Sequence, residues 1–322
     1  HRLLAVALIV GISLAAQTRP ATAADGGAPR VAGCPVFPSD NIWNTRVDTL
    51  PLDPRSNAYT RSIGQDKPVH ADFGSGNYEG APIGIPFISV PGNQKRVRIT
   101  FEYRDDSDLS NYPIPLNPPI EGGSQSKGDR HVLIVDRDNC VLWEIYNAQP
   151  LPDGTWRAGS GAIFDLTCNC LRPDGWTSAD AAGLPILPGL VRFDEVAAGE
   201  IRHALRFTAP RARREAVWPA RHVVLQLTDP DLPPMGQRFR LKSSFSTAGF
   251  SPQAKFILIA LQKYGMMLAD IGSPWFLSGS PDERWSNSVL GELKRVSGAD
   301  FEAVDASGLF VSHHSARARS QK

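Results

Sequence analysis

The sequence contains few of the features that would place it in several large classes of protein. It has only four cysteines in 322 residues, and Lys plus Arg (34) nearly equal Asp plus Glu (33), for a net charge of +1. This balance, without a dense basic stretch, argues against nucleic acid as the main partner. The glycine motifs of nucleotide-binding proteins, the H-E-x-x-H motif and the G-x-S-x-G motif are absent as well. Nucleotide-driven chemistry is therefore not expected.

Glycine and proline are abundant, with 28 and 27 residues respectively. Such a composition favours many turns over long helices. Hydrophobic residues make up 42% of the chain, which is enough for a sizeable core and argues against disorder of the whole chain.

The longest apolar run predicts an export signal. Leu3–Ala16 is too short to cross a hydrocarbon layer of about 30 Å as a helix. Arg2 precedes it, and the small residues Ala21 and Ala23 follow, so we expect a signal peptide over 1–23 with cleavage after Ala23. The mature chain is then expected to be secreted or periplasmic, without a membrane span, and monomeric.

All four cysteines follow the predicted cleavage site, and an oxidising compartment favours their pairing. We predict a disulfide between Cys34 and Cys140. Cys168 and Cys170 are separated by one residue, which is unfavourable for a bridge between them because bonding requires particular Cα separations and Cβ directions. An alternative joins Cys34 and Cys140 separately to Cys168 and Cys170.

The mature chain divides into a flexible leader (24–33), one β-rich domain (34–311) and a disordered basic tail (312–322). Within the domain, alternating or apolar segments flanked by turn residues predict strands. They are Arg96–Tyr103, Arg130–Val135, Val141–Tyr146, Glu200–Thr208, Ala220–Leu227 and Gln237–Lys242.

Helical patterns are fewer and cover Gln253–Leu268 and Glu283–Val296, with a short helical turn at 178–183. The many strand signals and turns predict a mostly β fold, an antiparallel β-sandwich or jelly-roll-like single domain with a few peripheral helices.

Six segments spread over the mature chain have distinctive sequences. They are CPVFPSDNIW (34–43), GDRHVLIVDRDNCVLWEIY (128–146), GSGAIFDL (159–166), GWTSADAAGLPILPGLVRFDE (175–195), WPARH (218–222) and the stretch 264–279. Together they resemble a recurring group of secreted bacterial proteins. The resemblance implies export and one integral domain, and it assigns no catalytic residue.

His131 and Glu144 are the first candidates for catalysis, because the hairpin at 130–147 brings them to one face. A loop at 136–139 puts His131 opposite Glu144, whereas a two-residue loop at 138–139 puts it opposite Tyr146 with Glu144 diagonal. Only an odd-length loop would place the two on opposite faces. A carboxylate beside an imidazole fixes its tautomer and raises its pKa, as general acid–base catalysis requires. Asp180 is the expected second carboxyl group.

Other candidates would contact the substrate. Arg206 and His222 predict a cationic, hydrogen-bonding strip suited to a carboxylated or hydroxyl-rich substrate. His203 and Trp176 complete this predicted set. The sequence predicts no metal site or cofactor, although oxygen ligands for Ca²⁺ occur around Asp72 and in the cluster Asp105, Asp106 and Asp108.

These features favour an exported carbohydrate-active enzyme, a glycoside hydrolase or polysaccharide lyase acting on a polysaccharide or cell-envelope glycan. The alternative is a noncatalytic secreted protein that binds glycans or belongs to the cell surface. Catalysis requires the acid–base groups to converge in one cleft. The residues expected to meet there are His131, Glu144, Asp180, His203, Arg206 and His222.

Overall fold

The computed structural model describes residues 27–321. The predicted signal peptide over 1–23 lies outside the described residues, and so do the first residues of the predicted leader. The rest of that leader is structured, because Arg30–Val31 pairs with Cys34–Pro35 in an antiparallel ribbon.

Short strands dominate the described part of the chain. They are β1 Arg30–Val31, β2 Cys34–Pro35, β3 His70–Asp72, β4 Asn77–Tyr78, β5 Ala81–Pro82, β6 Phe87–Val90, β7 Ile99–Phe101, β8 Val132–Asp136, β9 Val141–Tyr146, β10 Gln149–Pro150, β11 Trp156–Ala158, β12 Ser160–Asp165, β13 Leu205–Ala209, β14 Arg238–Leu241, β15 Met266–Ile271, β16 Phe276–Ser278 and β17 Phe301–Ala303.

Helices are short. The α-helices are α1 Ser56–Ile63, α2 Phe193–Ala197, α3 Pro252–Lys263 and α4 Asn287–Leu290; the 3-10 helices are Ile42–Asn44, Arg104–Asp106, Leu187–Gly189, Gly291–Arg295, Gly298–Asp300 and Ser307–Leu309.

Two large sheets organise the fold. One has the strand order β12-β9-β8-β6, and the other has the order β17-β14-β15-β13-β16-β3. The predicted β-sandwich-like domain with a few helices is confirmed. The sheets are mixed, since β6 runs parallel to β8 and β13 runs parallel to β15.

Alternation along β8 and β9 explains how the four-stranded sheet separates two hydrophobic clusters. Leu133 and Leu142 belong to the main core, whereas Ile134 and Trp143 belong to a smaller cluster. Successive side chains of a strand point to opposite faces, so the sheet is covered on both sides. The main core also contains residues of the six-stranded sheet, such as Phe207.

The predicted helix over Gln253–Leu268 is too long at its carboxyl end. The helix ends at Lys263, and Met266–Ile271 forms a central strand instead. Gly265 between them has φ +66°, and a Cβ there would lie 2.1 Å from the carbonyl oxygen of Phe239. This close approach needs glycine, and the left-handed backbone ends the helix.

Of two further predictions of secondary structure, one is partly right and the other is wrong. Within Glu283–Val296 the helix is one short α-turn followed by a 3-10 turn. The predicted strand Ala220–Leu227 does not form. The N–H groups of Arg221 and His222 both donate to the carbonyl oxygen of Ala182, so the backbone there is bonded to a loop instead of a strand.

The four cysteines form two disulfides. The Cys34–Cys140 bridge is confirmed, and Cys168 and Cys170 are also joined, with 5.3 Å between the Cα atoms in each pair. The expectation that Cys168 and Cys170 are too close was wrong, because that separation lies inside the usual range for a bridge. Two disulfides fit an extracytoplasmic compartment. Among residues 27–321, no helix has the length and apolarity needed to cross a membrane.

The tail predicted to be disordered is packed on the domain as far as residue 321. Ala316 and Ala318 are buried, and the carbonyl oxygen of Ala316 accepts a hydrogen bond of 2.8 Å from Ile42. Small side chains between the basic residues allow this close docking.

Candidate functional site

A loop lies buried between the two large sheets. It runs from Ser178 to Val191, and the N–H of Ala182 donates to Ala269 of the six-stranded sheet. The N–H groups of Ile186 and Leu187 donate instead to Glu144 of the four-stranded sheet. Buried backbone needs such partners, because unpaired N–H and C=O groups away from water are costly. The loop is therefore fixed by both sheets.

Glu144 holds this loop and does not orient His131 as the sequence analysis expected. Its carboxylate accepts hydrogen bonds of 2.9 Å from the N–H of Ile186 and of Leu187. The hairpin register pairs Leu133 with Glu144, which corresponds to the second predicted register. His131 and Glu144 share a face of the hairpin, but their hydrogen bonds go to other partners. Burial raises the pKa of Glu144 to about 7, against the opposing effect of the two N–H donors.

His131 has another carboxylate partner. Its Nδ1 lies 2.6 Å from Oε2 of Glu121, and its Nε2 lies 3.0 Å from the carbonyl oxygen of Ala179. Burial by itself lowers the pKa of this imidazole. The negative charge and hydrogen bond of Glu121 outweigh burial and raise the pKa of His131 to about 9.

Arg206 connects two aspartates in the interior. Its Nε and Nη2 donate to both oxygens of Asp180 at 2.8 Å, and Nη2 also lies 3.0 Å from Asp270 Oδ2. Nη1 donates to Ser278. The guanidinium and Asp180 are both buried, so Arg206 is engaged inside the protein and does not form the expected substrate-facing strip.

Asp270 is the member of this cluster that reaches solvent. Its side chain is 22% exposed, whereas that of Asp180 is fully covered. Burial and repulsion from Asp180 raise the pKa of Asp270 to about 6. A carboxyl group with this pKa holds and releases a proton near neutral pH, as an acid–base catalyst must.

Asp270 opens into a cleft with a volume of about 470 Å³. The cleft is lined by Tyr103, Asp106, Asp129, Tyr146, Ser160, Thr177, Ser178, Ala179, Asp180, Ala181, His222, Val223, Val224, Asp270 and Ile271. The end of the hairpin, the buried loop and the strand carrying Asp270 thus meet at one concave surface.

Tyr146 forms an aromatic wall of the cleft. Burial raises its pKa, and the nearby carboxylates of Asp129 and Asp270 raise it further. Gly159 makes room for the ring, because a Cβ at that position would lie 2.5 Å from Tyr146. Tyr103, which is 47% exposed, adds a second ring.

The remaining predicted residues are dispersed. His222 lines the cleft, with Nδ1 2.8 Å from the carbonyl oxygen of Ala181. His203 is fully buried elsewhere and lies 3.0 Å from Glu195, which also pairs with Arg192. Trp176 does not line the cleft. Its ring lies 5.5 Å from the guanidinium of Arg172.

Glu121 and Asp270 were missed by the sequence analysis. Asp270 directly follows the apolar run MMLA, and a single acid at the end of a buried strand could have indicated a site. The strand was not recognised, because the predicted helix included most of this run. Glu121 lies in a loop rich in glycine and proline, and its contact with His131 across ten residues leaves no periodic pattern.

The buried carboxyl of Glu144 predicts how stability depends on pH. Its pKa rises from 4.5 to about 7 on folding, so the folded state binds its proton more tightly and stability falls as pH rises through this range. Glu144→Gln removes this titration. We expect the unfolding free energy of the variant to improve relative to wild type by up to about 3 kcal/mol between pH 4.5 and 7.

Urea unfolding at several pH values measures this difference. Glu215→Gln is the control, because the Glu215 side chain is 54% exposed, and its difference from wild type should stay constant. A Glu144→Gln difference that does not change with pH would contradict the prediction.

Comparison with known proteins identifies no relative of this chain. The chain matches no protein-family model, no curated protein and no solved structure.

Proposed function

We propose that this protein is an exported glycoside hydrolase that acts on neutral or amino polysaccharides, with Asp270 as its acid–base group. One observation carries the proposal. Asp270 combines partial exposure, a pKa raised to about 6 and a position in a cleft of about 470 Å³. A carboxyl group of raised pKa in a concave site can protonate the glycosidic oxygen as the C–O bond breaks; water supplies the oxygen that bonds to the anomeric carbon and gives up a proton.

The charge of the cleft favours hydrolysis over the lyase alternative. Asp106, Asp129 and Asp270 line it, and no Lys or Arg belongs to the lining among residues 27–321. A polysaccharide with a carboxylate on each sugar would be repelled by these acids. Arg206, which the sequence analysis assigned to such a substrate, is already bound to Asp180.

The aromatic walls suit a sugar chain. Tyr103 and Tyr146 line the cleft, and aromatic rings can pack against the C–H faces of sugars. His222 lies beside them, and its ring nitrogen Nε2 is available for a hydrogen bond, because in the described part of the chain only Nδ1 is bonded, to Ala181. In this proposal His131, Glu144 and Asp180 act as positioning residues, because each is buried and bonded within the protein.

A panel of polysaccharides tests the function. The purified protein is incubated with cellulose, xylan, chitosan and cell-wall sacculi, and with polygalacturonate and alginate as anionic substrates. We expect new reducing ends from at least one of the first group and no unsaturated uronate from the second.

Products from the anionic substrates alone would contradict the proposal. Glycan-array binding without any product would support the noncatalytic alternative. If the protein neither releases products nor binds any glycan, the cleft has no role in glycan chemistry and the proposal is overturned.

A further inference from the structure

Both ring nitrogens of His131 face acceptor oxygens, so each nitrogen carries a proton or a metal ion. Nε2 faces the carbonyl oxygen of Ala179, which can only accept a hydrogen bond, so Nε2 carries a proton. Nδ1 faces a carboxylate oxygen of Glu121, which also accepts. Nδ1 must therefore carry either a second proton or a metal ion.

A third ligand lies beside this pair. One carboxylate oxygen of Asp129, one of Glu121 and a ring nitrogen of His131 all lie within 4.8 Å of one another. The Asp129 side chain is exposed, and within residues 27–321 it makes no hydrogen bond or ion pair. Three potential ligand atoms thus lie close together, and the Asp129 carboxylate has no other partner among residues 27–321.

We propose that His131, Glu121 and Asp129 form a binding site for a divalent transition-metal ion, of which Zn²⁺ is the best fit. Ca²⁺ and Mg²⁺ prefer sites in which every ligand is oxygen. The imidazole nitrogen in this set therefore favours a transition metal over either ion. Three protein ligands leave a fourth position of a tetrahedral zinc site open to water or substrate. The ion displaces the proton on Nδ1 to solvent.

The surroundings fit this assignment. Ligand histidines usually donate their other ring N–H to a carbonyl or carboxylate, as His131 does to Ala179. The 2.6 Å between Nδ1 and Oε2 of Glu121 is too short for an ion bound by both atoms, so metal binding requires the Glu121 carboxylate to rotate away from Nδ1. The Glu121 side chain is 26% exposed, which leaves room on its solvent side.

The site also touches the main cleft. Asp129 lines that cleft, and Glu121 lines a second cleft of about 530 Å³. A bound ion would lie at the edge of the cleft that contains Asp270. The inference does not depend on glycan hydrolysis, because its readout is metal binding itself.

Titration calorimetry with Zn²⁺ on the whole protein, freed of metal by chelator, tests the proposal. We expect one ion per chain and a higher Tm with Zn²⁺. Asp129→Asn and Glu121→Gln should each weaken binding by about tenfold or more. Absorption of the Co²⁺-loaded protein should change in the same two variants.

Two controls separate this site from adventitious binding. Asp106→Asn removes an acid of the same cleft outside the three ligands and should bind Zn²⁺ as wild type does. The double variant His313→Ala and His314→Ala removes the adjacent histidines near the carboxyl end and should also bind normally. No binding by wild type, or equal binding by Asp129→Asn and Glu121→Gln, would overturn the proposal even if the protein hydrolyses glycans.

Discussion

Replacing Arg206 with methionine is expected to lower the free energy of unfolding by about 3–5 kcal/mol. Arg206 gives two hydrogen bonds of 2.8 Å to Asp180 and one of 3.0 Å to Asp270. Methionine fills part of the space but leaves the fully covered Asp180 carboxylate without its cation. An unpaired charge in the interior costs far more than the loss of a surface ion pair.

Urea unfolding measures this loss. Arg46→Met is the matched control, because Arg46 pairs with Asp48 at a site where its side chain is 54% exposed, and we expect a change of about 1 kcal/mol or less. Adding Asp180→Leu to Arg206→Met should restore part of the stability by removing the stranded charge. Wild-type stability of Arg206→Met would contradict the ion-pair role.

Replacing Asp270 with asparagine is expected to lower kcat on the substrate found in the panel by about 10²–10⁴-fold. Asparagine keeps the size of the side chain but cannot donate a proton to a leaving oxygen. A group acting as the acid must be protonated, so wild-type activity should fall as pH rises above about 6, the pKa of Asp270. Residual activity of the variant should not show this decline.

The measurement is kcat across pH 4–9, with folding of the variant checked by its unfolding curve. Asp231→Asn is the control, since Asp231 is an exposed acid with 59% of its side chain accessible, and it should keep wild-type kcat and pH profile. An Asp270→Asn variant with unchanged kcat would remove Asp270 from the mechanism.

The hairpin shows how much of the fold the sequence can predict. Val132–Asp136 and Val141–Tyr146 form the expected neighbouring strands, because apolar runs joined by a short polar turn specify their own pairing. The segment after Lys263 shows the limit. Its apolar residues suit a helix or a buried strand equally well, and contact with a distant carbonyl of Phe239 decides the outcome.

The candidate site was only partly predictable for a similar reason. Asp180 and His222 belong to the lining of the cleft, but the Asp180 side chain is covered and bonded to Arg206. The partners of the buried groups, Glu121 for His131 and Asp270 for Arg206, are set by contacts between different elements. No spacing within one strand encodes them.

The sequence by itself determined the mostly β fold and the hairpin, because strand alternation and turn chemistry act between neighbours in the chain. The Cys34–Cys140 bridge, which joins residues 106 apart, was one of two pairings open in the sequence, and the tertiary structure selected it. Only the tertiary structure decided which carboxyl groups are buried and which remains accessible. A polar group placed between two sheets must find whatever donor or acceptor the packing brings near it. For this reason Glu144 accepts hydrogen bonds from the buried loop, whereas Asp270 faces the cleft.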